Sequence, residues 1–394
     1  MTWEAWLAVA GLVLGTVALT VAIDARRTAQ RATTRRPAPA GVRGATEIST
    51  GHGGHTPHRP LVAFVANPSK AGVPELRAEV RRLCAEQYLP EPLWLETTQD
   101  DPGVGQTRAA TRQGAEVVVA LGGDGTVRAV AEGLVGTGVP MGLVPVGTGN
   151  LLARNLDIPI GDPLAAVQIA LDGADRTIDV GWLRVLRYAD DQQDGGAEDE
   201  DEPQPGTADR QRDHIFLVIA GVGFDAAMVA DTDDGLKAKV GWVAYFVSGI
   251  KHLHGRRLRT VVRLDDAPAA PARVRSLLIG NCGRLPGGLT LLPDAVLDDG
   301  WLDIAAIDTR GGVAGWAQLF GEVVLQGVGV RSQLPARIGR IDHARAREVH
   351  LAVSGGEYVQ VDGDVLGEVS ELSARVDPGA LVVRVRDGQA SVSR

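Results

Sequence analysis

The sequence predicts an α/β protein: a doubly wound α/β domain, then a β-sandwich as second domain, with an N-terminal transmembrane helix ahead of both. Three observations predict it. Strand-like and helix-like segments alternate between residues 61 and 171, the pattern of a parallel sheet with crossover helices. From residue 177 onward, short β-rich runs separated by turn residues replace that alternation, as in an antiparallel sandwich. Residues 5–23 carry no charge and match the roughly 20 residues that cross a hydrocarbon core.

The apolar run is followed by Asp24 and then Arg26, Arg27, Arg31, Arg35 and Arg36. Arginines on the C-terminal side alone put that side in the cytoplasm. The expectation is a single-pass protein of the cell membrane, anchored by residues 1–25, with its catalytic region cytoplasmic. A cleaved signal peptide is the competing reading, and the missing basic n-region argues against it. Residues 26–59 hold Pro37, Pro39, Gly41, Gly44, Gly51, Gly53, Gly54 and Pro57 without apolar periodicity, and read as a flexible basic linker. His52, His55 and His58 lie there, and read as solvated filler before metal ligands.

From residue 60 to 178 the expected elements are strand 61–66, helix 73–87, strand 93–96, helix 104–113, strand 116–121, helix 127–134, strand 141–144 and helix 163–171. The run 116–121 is apolar and β-branched, which suits a strand buried on both faces. Gly122-Gly123-Asp124-Gly125-Thr126 comes directly after it and opens a helix. Bare amides and the positive end of the helix dipole gather at such a point, and glycines let the main chain approach an anion closely. Asp124 adds a carboxylate that could hold Mg²⁺ against a polyphosphate. No Gly-Lys-Ser/Thr and no G-x-G-x-x-G is present, so the turn is neither a P-loop nor a dinucleotide fingerprint. Asn67-Pro68, Thr97-Thr98, Gly122–Thr126 and Pro145–Asn150 all fall at strand carboxyl ends, and these loops converge on one rim, where doubly wound sheets bind ligands. In the second loop Gly147 and Gly149 permit close approach, and Thr148 and Asn150 offer donors.

Residues 179–394 make up the expected sandwich, with an acidic insert at 189–212 and with C-terminal strands that can return to the first domain. Residues 236–253 present a wide apolar face followed by basic residues, which fits either substrate access or a core helix. The 394-residue chain is 44% hydrophobic, enough for real cores, and two cysteines fit a reducing compartment. Its net charge of −9 argues against nucleic acid.

The two glycine turns, together with Asn67-Pro68, Thr97-Thr98, Pro145–Arg154, Gly221–Ala226, Leu292-Pro293, Asp298-Asp299-Gly300 and Asp362-Gly363-Asp364, resemble in order the diacylglycerol kinase catalytic domain family of lipid kinases. The resemblance implies an ATP-dependent kinase that phosphorylates a lipid hydroxyl such as that of diacylglycerol. It implies ATP contacts at Asn67, Thr98, Gly122, Gly123, Asp124, Gly125, Thr126, Gly147 and Thr148. Asp124 matches the carboxylate that engages Mg²⁺-ATP, and Asp299 one that helps hold a structural metal in some members. Asp364 matches the proposed general base, usually Glu in an Asp-Gly-Glu triplet and here one methylene shorter. Two further departures are Arg128-Ala129, where many members have Asn-Glu, and Asn150-Leu151, where many have Asn-Asp. Expected partners are a membrane lipid substrate and ATP, with no nucleic acid and with a homodimer left open. The alternatives are an NAD kinase, which also carries Gly-Gly-Asp-Gly-Thr, and a membrane-tethered lipid- or nucleotide-binding protein that has lost catalysis. Without the family, Asp362-Gly363-Asp364 reads as a hairpin turn.

Overall fold

A computed structural model describes residues 59–190, 212–223, 257–284, 292–309 and 339–388. The first part consists of β1 (Val62–Ala66), α1 (Val73–Glu86), β2 (Leu93–Glu96), α2 (Val104–Arg112), β3 (Val117–Gly122), α3 (Asp124–Leu134), β4 (Met141–Pro145), α4 (Leu151–Asn155) and α5 (Pro163–Asp172). Every residue of β1, β3 and β4 is buried, which is why these strands are unbroken apolar runs without alternation. Phe64 of β1 is fully enclosed and stacks on Trp94 of edge strand β2, with centroids 5.9 Å apart. Burying one such side chain contributes about 1.5–3 kcal/mol. Pro74 starts α1, whose buried stripe is Val73, Leu76, Val80 and Cys84.

The parallel strands lie in the order β2–β1–β3–β4. The chain moves from β1 outward to β2 and then crosses to the other side of β1 to form β3. That reversal is a topological switch point, and it opens a crevice beyond the carboxyl ends of β1 and β3.

The second part is β-rich: β5 (Ala174–Tyr188), β6 (Asp213–Phe216), β7 (Ile219–Gly223), β8 (Leu258–Leu264), β9 (Ala270–Val274), β10 (Ser276–Gly280), β11 (Leu302–Thr309), β12 (Gly339–Ala346), β13 (Glu348–Val361) and β14 (Asp364–Val385). Antiparallel neighbours run β12–β11–β10–β7–β13–β14, and β5 pairs with β14 and β6, β8 with β13 and β9. These strands enclose their own core around Leu183, Phe216, Ile279, Leu302, Leu351 and Leu372. They do not form a detached sandwich. β14 runs on beside β4, with Val383 opposite Met141 in parallel register, and so joins both parts in one hydrogen-bonded sheet.

Among the described residues no helix is long and apolar enough to cross a membrane. The expected single-pass placement in the cell membrane is corrected on that finding, since no described element supplies a span. The run 5–23, the linker, all but the ends of the acidic insert, and residues 236–253 lie outside the described residues, as do residues 224–226.

Candidate functional site

The rim at the switch point is stitched together by main-chain hydrogen bonds that extend the parallel ladder beyond the strand ends. The Asn67 amide donates to Leu121 O at 2.9 Å, the Thr97 amide to Ala66 O at 2.9 Å, and the Val146 amide to Gly122 O at 3.0 Å. Asn67, Gly122–Thr126 and Gly147-Thr148 are thereby brought to one edge. Thr98 is on the same rim but exposed, and its hydroxyl accepts from the Asp101 amide at 3.0 Å within its own loop.

The two glycine turns touch backbone to backbone. A Cβ added at Gly147 would stand 2.6 Å from Gly123 Cα, and one at Gly122 would stand 2.5 Å from Thr126 Cβ. Only glycine allows the two turns to approach this closely. Asn150, in left-handed conformation, is buried and closes the second turn: the Gly147 amide donates to Asn150 Oδ1 at 3.1 Å, and Asn150 Nδ2 donates to Gly147 O at 2.7 Å.

Asp124 does not face open solvent. The amides of Asn150 and Leu151 donate to its Oδ2 and Oδ1 at 2.8 and 2.6 Å, so the carboxylate fastens the second loop and the start of α4 to the first. Burial pushes its pKa up, opposed by those two amides and by Arg154. One lone pair on each carboxylate oxygen is thereby taken by a main-chain amide.

Two cations that the sequence reading left without a role lie against the turns. Lys70 Cε is 3.9 Å from the Cβ position of Gly123, and Arg154 Nε donates to Gly149 O at 2.8 Å. Neither forms a salt bridge among the described residues. The available signal for Lys70 was its place, three residues after Asn67 at the end of the first strand.

The β-rich part contributes the turn at 362–364. Asp362 turns inward, and the amides of Leu217, Val218 and Ile219 donate to its carboxylate at 2.7, 3.0 and 2.9 Å. Burial raises its pKa to about 6 against the pull of these amides and of Arg128. Asp364 turns outward and is 61% exposed. Arg128, on α3 one helical turn after Asp124, donates from Nη2 to Asp364 Oδ2 and from Nη1 to Val361 O, the latter at 2.9 Å. Two of the departures from the family pattern are therefore partners of each other.

Asp299 lies elsewhere, in an acidic patch of the β-rich part. It pairs with Arg345, which also reaches Asp303 at 3.4 Å. Neighbouring Asp179 is buried and accepts the amides of Gly300 and Gly379 at 2.7 and 2.8 Å; burial first, then Asp299 and Asp298, push its pKa up. Among the described residues no group of three His, Cys, Asp or Glu side chains could hold a metal ion, and the Asp299 carboxylate is paired with Arg345.

Residues 62–183 match the diacylglycerol kinase catalytic domain, and residues 218–385 match the YegS C-terminal NAD kinase beta sandwich-like domain. A "Diacylglycerol kinase" of Mycobacterium tuberculosis is 30% identical over 285 residues, covering 71% of this chain and 80% of that protein. The chain belongs to the diacylglycerol kinase catalytic domain family. Another relative in Pseudomonas aeruginosa, named "Probable lipid kinase YegS-like", is 30% identical over 337 residues, 83% of this chain and 95% of that protein. A crystal structure of a diacylglycerol kinase from Bacillus anthracis superposes with a TM-score of 0.59 at 18% identity, covering 83% of this chain and 97% of that one. The kinase family's α/β nucleotide-binding fold with a β-rich second domain is therefore the fold of this chain.

Proposed function

We propose that this chain is an ATP-dependent lipid kinase that moves the γ-phosphoryl group onto a lipid hydroxyl, such as that of diacylglycerol to give phosphatidic acid. One observation carries the reading: two glycine turns in backbone contact at the switch point, joined through Arg128 to an exposed carboxylate on the opposite part. Phosphoryl transfer asks a protein mainly for positioning and charge neutralisation, with one carboxylate to orient the attacking hydroxyl.

The residues fit a polyphosphate. The site has backbone without side chains at Gly122, Gly123 and Gly147, polar groups at Asn67, Thr98, Gly125, Thr126 and Thr148, and the cations Lys70 and Arg154 beside the turns. Mg²⁺ would arrive with the nucleotide and neutralise phosphate charge; such an ion needs only one or two protein carboxylates, and Asp124 is the one in the turn. The lone pairs left on Asp124 by its two amides are what it would offer. Asp364 takes the proton. The lipid hydroxyl oxygen bonds to the γ-phosphorus, the bond from that phosphorus to the β–γ bridging oxygen breaks, ADP leaves with the electron pair, and the hydroxyl proton passes to the Asp364 carboxylate.

The test is incubation of the full chain with Mg²⁺, γ-labelled ATP and a total lipid extract, followed by identification of the labelled product. A labelled phospholipid is expected. Label in NADP when NAD is supplied, with none in lipid, would overturn the reading in favour of the NAD kinase alternative.

A further inference from the structure

We propose that Arg128 is a positioning residue for Asp364, which it holds at the rim of the glycine turn; the proposal rests on the reading of Asp364 as the proton acceptor. The guanidinium makes two contacts with one hairpin turn, donating to the Val361 carbonyl at 2.9 Å and to the Asp364 carboxylate. A planar group bonded at two points fixes both the place and the direction of what it holds, which a single flexible ammonium does not. The same turn is held on its other side by Asp362, which accepts three consecutive amides from residues 217–219. Clamped from both sides, the turn leaves Asp364 Oδ1 without a hydrogen bond among the described residues, while Oδ2 is taken by Arg128.

The lengths of the side chains make sense of the pairing. Asp364 is one methylene shorter than the Glu that the family resemblance leads one to expect, and Arg128 is far longer than the Asn. A long side chain reaching across from α3 compensates for a short one on the hairpin. Stability does not explain the pair, because ion pairs with a solvent-exposed partner contribute little, and Asp364 is 61% exposed. The Arg128 side chain is only 21% exposed, so most of it is packed against the protein with no substrate present. Misplacing a reacting group by about 1 Å costs on the order of 10²-fold in rate, and the pair acts on that quantity.

The experiment uses the full chain in the lipid phosphorylation assay, with thermal unfolding as a check on folding. Arg128→Ala is expected to lower kcat roughly 10- to 100-fold with the KM for ATP within about twofold of wild type. Added methylguanidinium should restore part of the activity of Arg128→Ala and none of that of Asp364→Asn. The double variant should be no slower than Asp364→Asn alone, because both changes remove one device. Where Arg128→Ala does not fold, Arg128→Met carries the same expectations for kcat and KM, since its unbranched side chain keeps much of the packing and has no donor. Wild-type kcat in the folded Arg128 variant overturns the proposal. A raised KM for ATP at unchanged kcat does so too, as it would make Arg128 a nucleotide contact, and so do multiplicative losses in the double variant. Full activity of Asp364→Asn would instead remove the proton-acceptor reading itself.

Discussion

The turn at residues 122–126 and the turn at residues 362–364 both set aspartates among glycines, yet they spend them differently. In the first, the only carboxylate is folded inward onto the amides of Asn150 and Leu151. In the second, Asp362 is folded inward onto the amides of residues 217–219, and Asp364 alone points out toward Arg128. A carboxylate that accepts several amides is first a fastener between loops, and its chemistry is what remains after that work. An exposed carboxylate held at one oxygen is free to meet a substrate. On the proposed reading, Asp364 alone of the three stands on the acceptor side.

The largest expected effect follows from Asp364. Replacing it with Asn should lower lipid phosphorylation by roughly 10²–10⁴-fold while ATP affinity stays nearly constant, as for loss of a positioned base. Asp364→Glu should keep substantial activity if the hairpin accommodates one more methylene. Equal turnover in wild type and Asp364→Asn would erase the contrast between the two turns and leave Asp364 as a turn former, since Asn also tolerates turn geometry.

Asp124→Asn sharpens the other side of the comparison. An amide group has one oxygen, so either the Asn150 or the Leu151 N–H loses its acceptor, at a cost of about 1–3 kcal/mol for a buried unsatisfied donor. The expected outcome is a lower urea midpoint together with a raised KM for ATP, because the Gly147–Asn150 turn is no longer fastened to the first. Loss of turnover with unchanged stability and unchanged KM would show that the amide contacts are incidental and that the carboxylate serves chemistry alone.

This contrast explains what the sequence could and could not reveal. Strands β1, β3 and β4 were legible because burial on both faces demands uninterrupted apolar residues, and Val62–Ala66 and Val117–Gly122 leave little choice. The glycine turns were legible for a similar reason, since close backbone contact excludes every other residue type. Local pattern does not trace strand β14 along its length, because Gly367, Pro378 and Gly379 interrupt it and the strand passes them with register shifts against β13 and β5. Strand β12 shows no apolar run, because Gly339–Ala346 carries charges along its length. The Arg128–Asp364 pair joins residues 236 positions apart, and no local pattern encodes such a contact. Nor does a motif tell which way its carboxylate points, and the two amides that Asp124 accepts lie outside its own turn.

Asp362 offers the smallest effect and the cleanest sign. Its carboxyl has a pKa of about 6 in the folded protein, raised chiefly by burial, against an ordinary value of 3.8. Between those values the folded chain binds the proton more tightly than the unfolded chain does. The stability this group contributes is fully present below about pH 4 and is lost as pH rises through about 6, beyond which the ionised carboxylate carries its desolvation cost, partly offset by the three amides. Asn in its place cannot titrate. The difference in unfolding free energy between wild type and Asp362→Asn should therefore grow in favour of wild type by on the order of 1 kcal/mol between pH 7 and pH 5. Urea unfolding of both proteins across that range measures it, and taking the difference cancels titrations elsewhere in the chain. A difference that stays flat would mean that Asp362 is ionised throughout and that its three amides outweigh burial. That result would place Asp362 nearer in character to the exposed Asp364 and break the division of labour between the inward and outward aspartates of this turn.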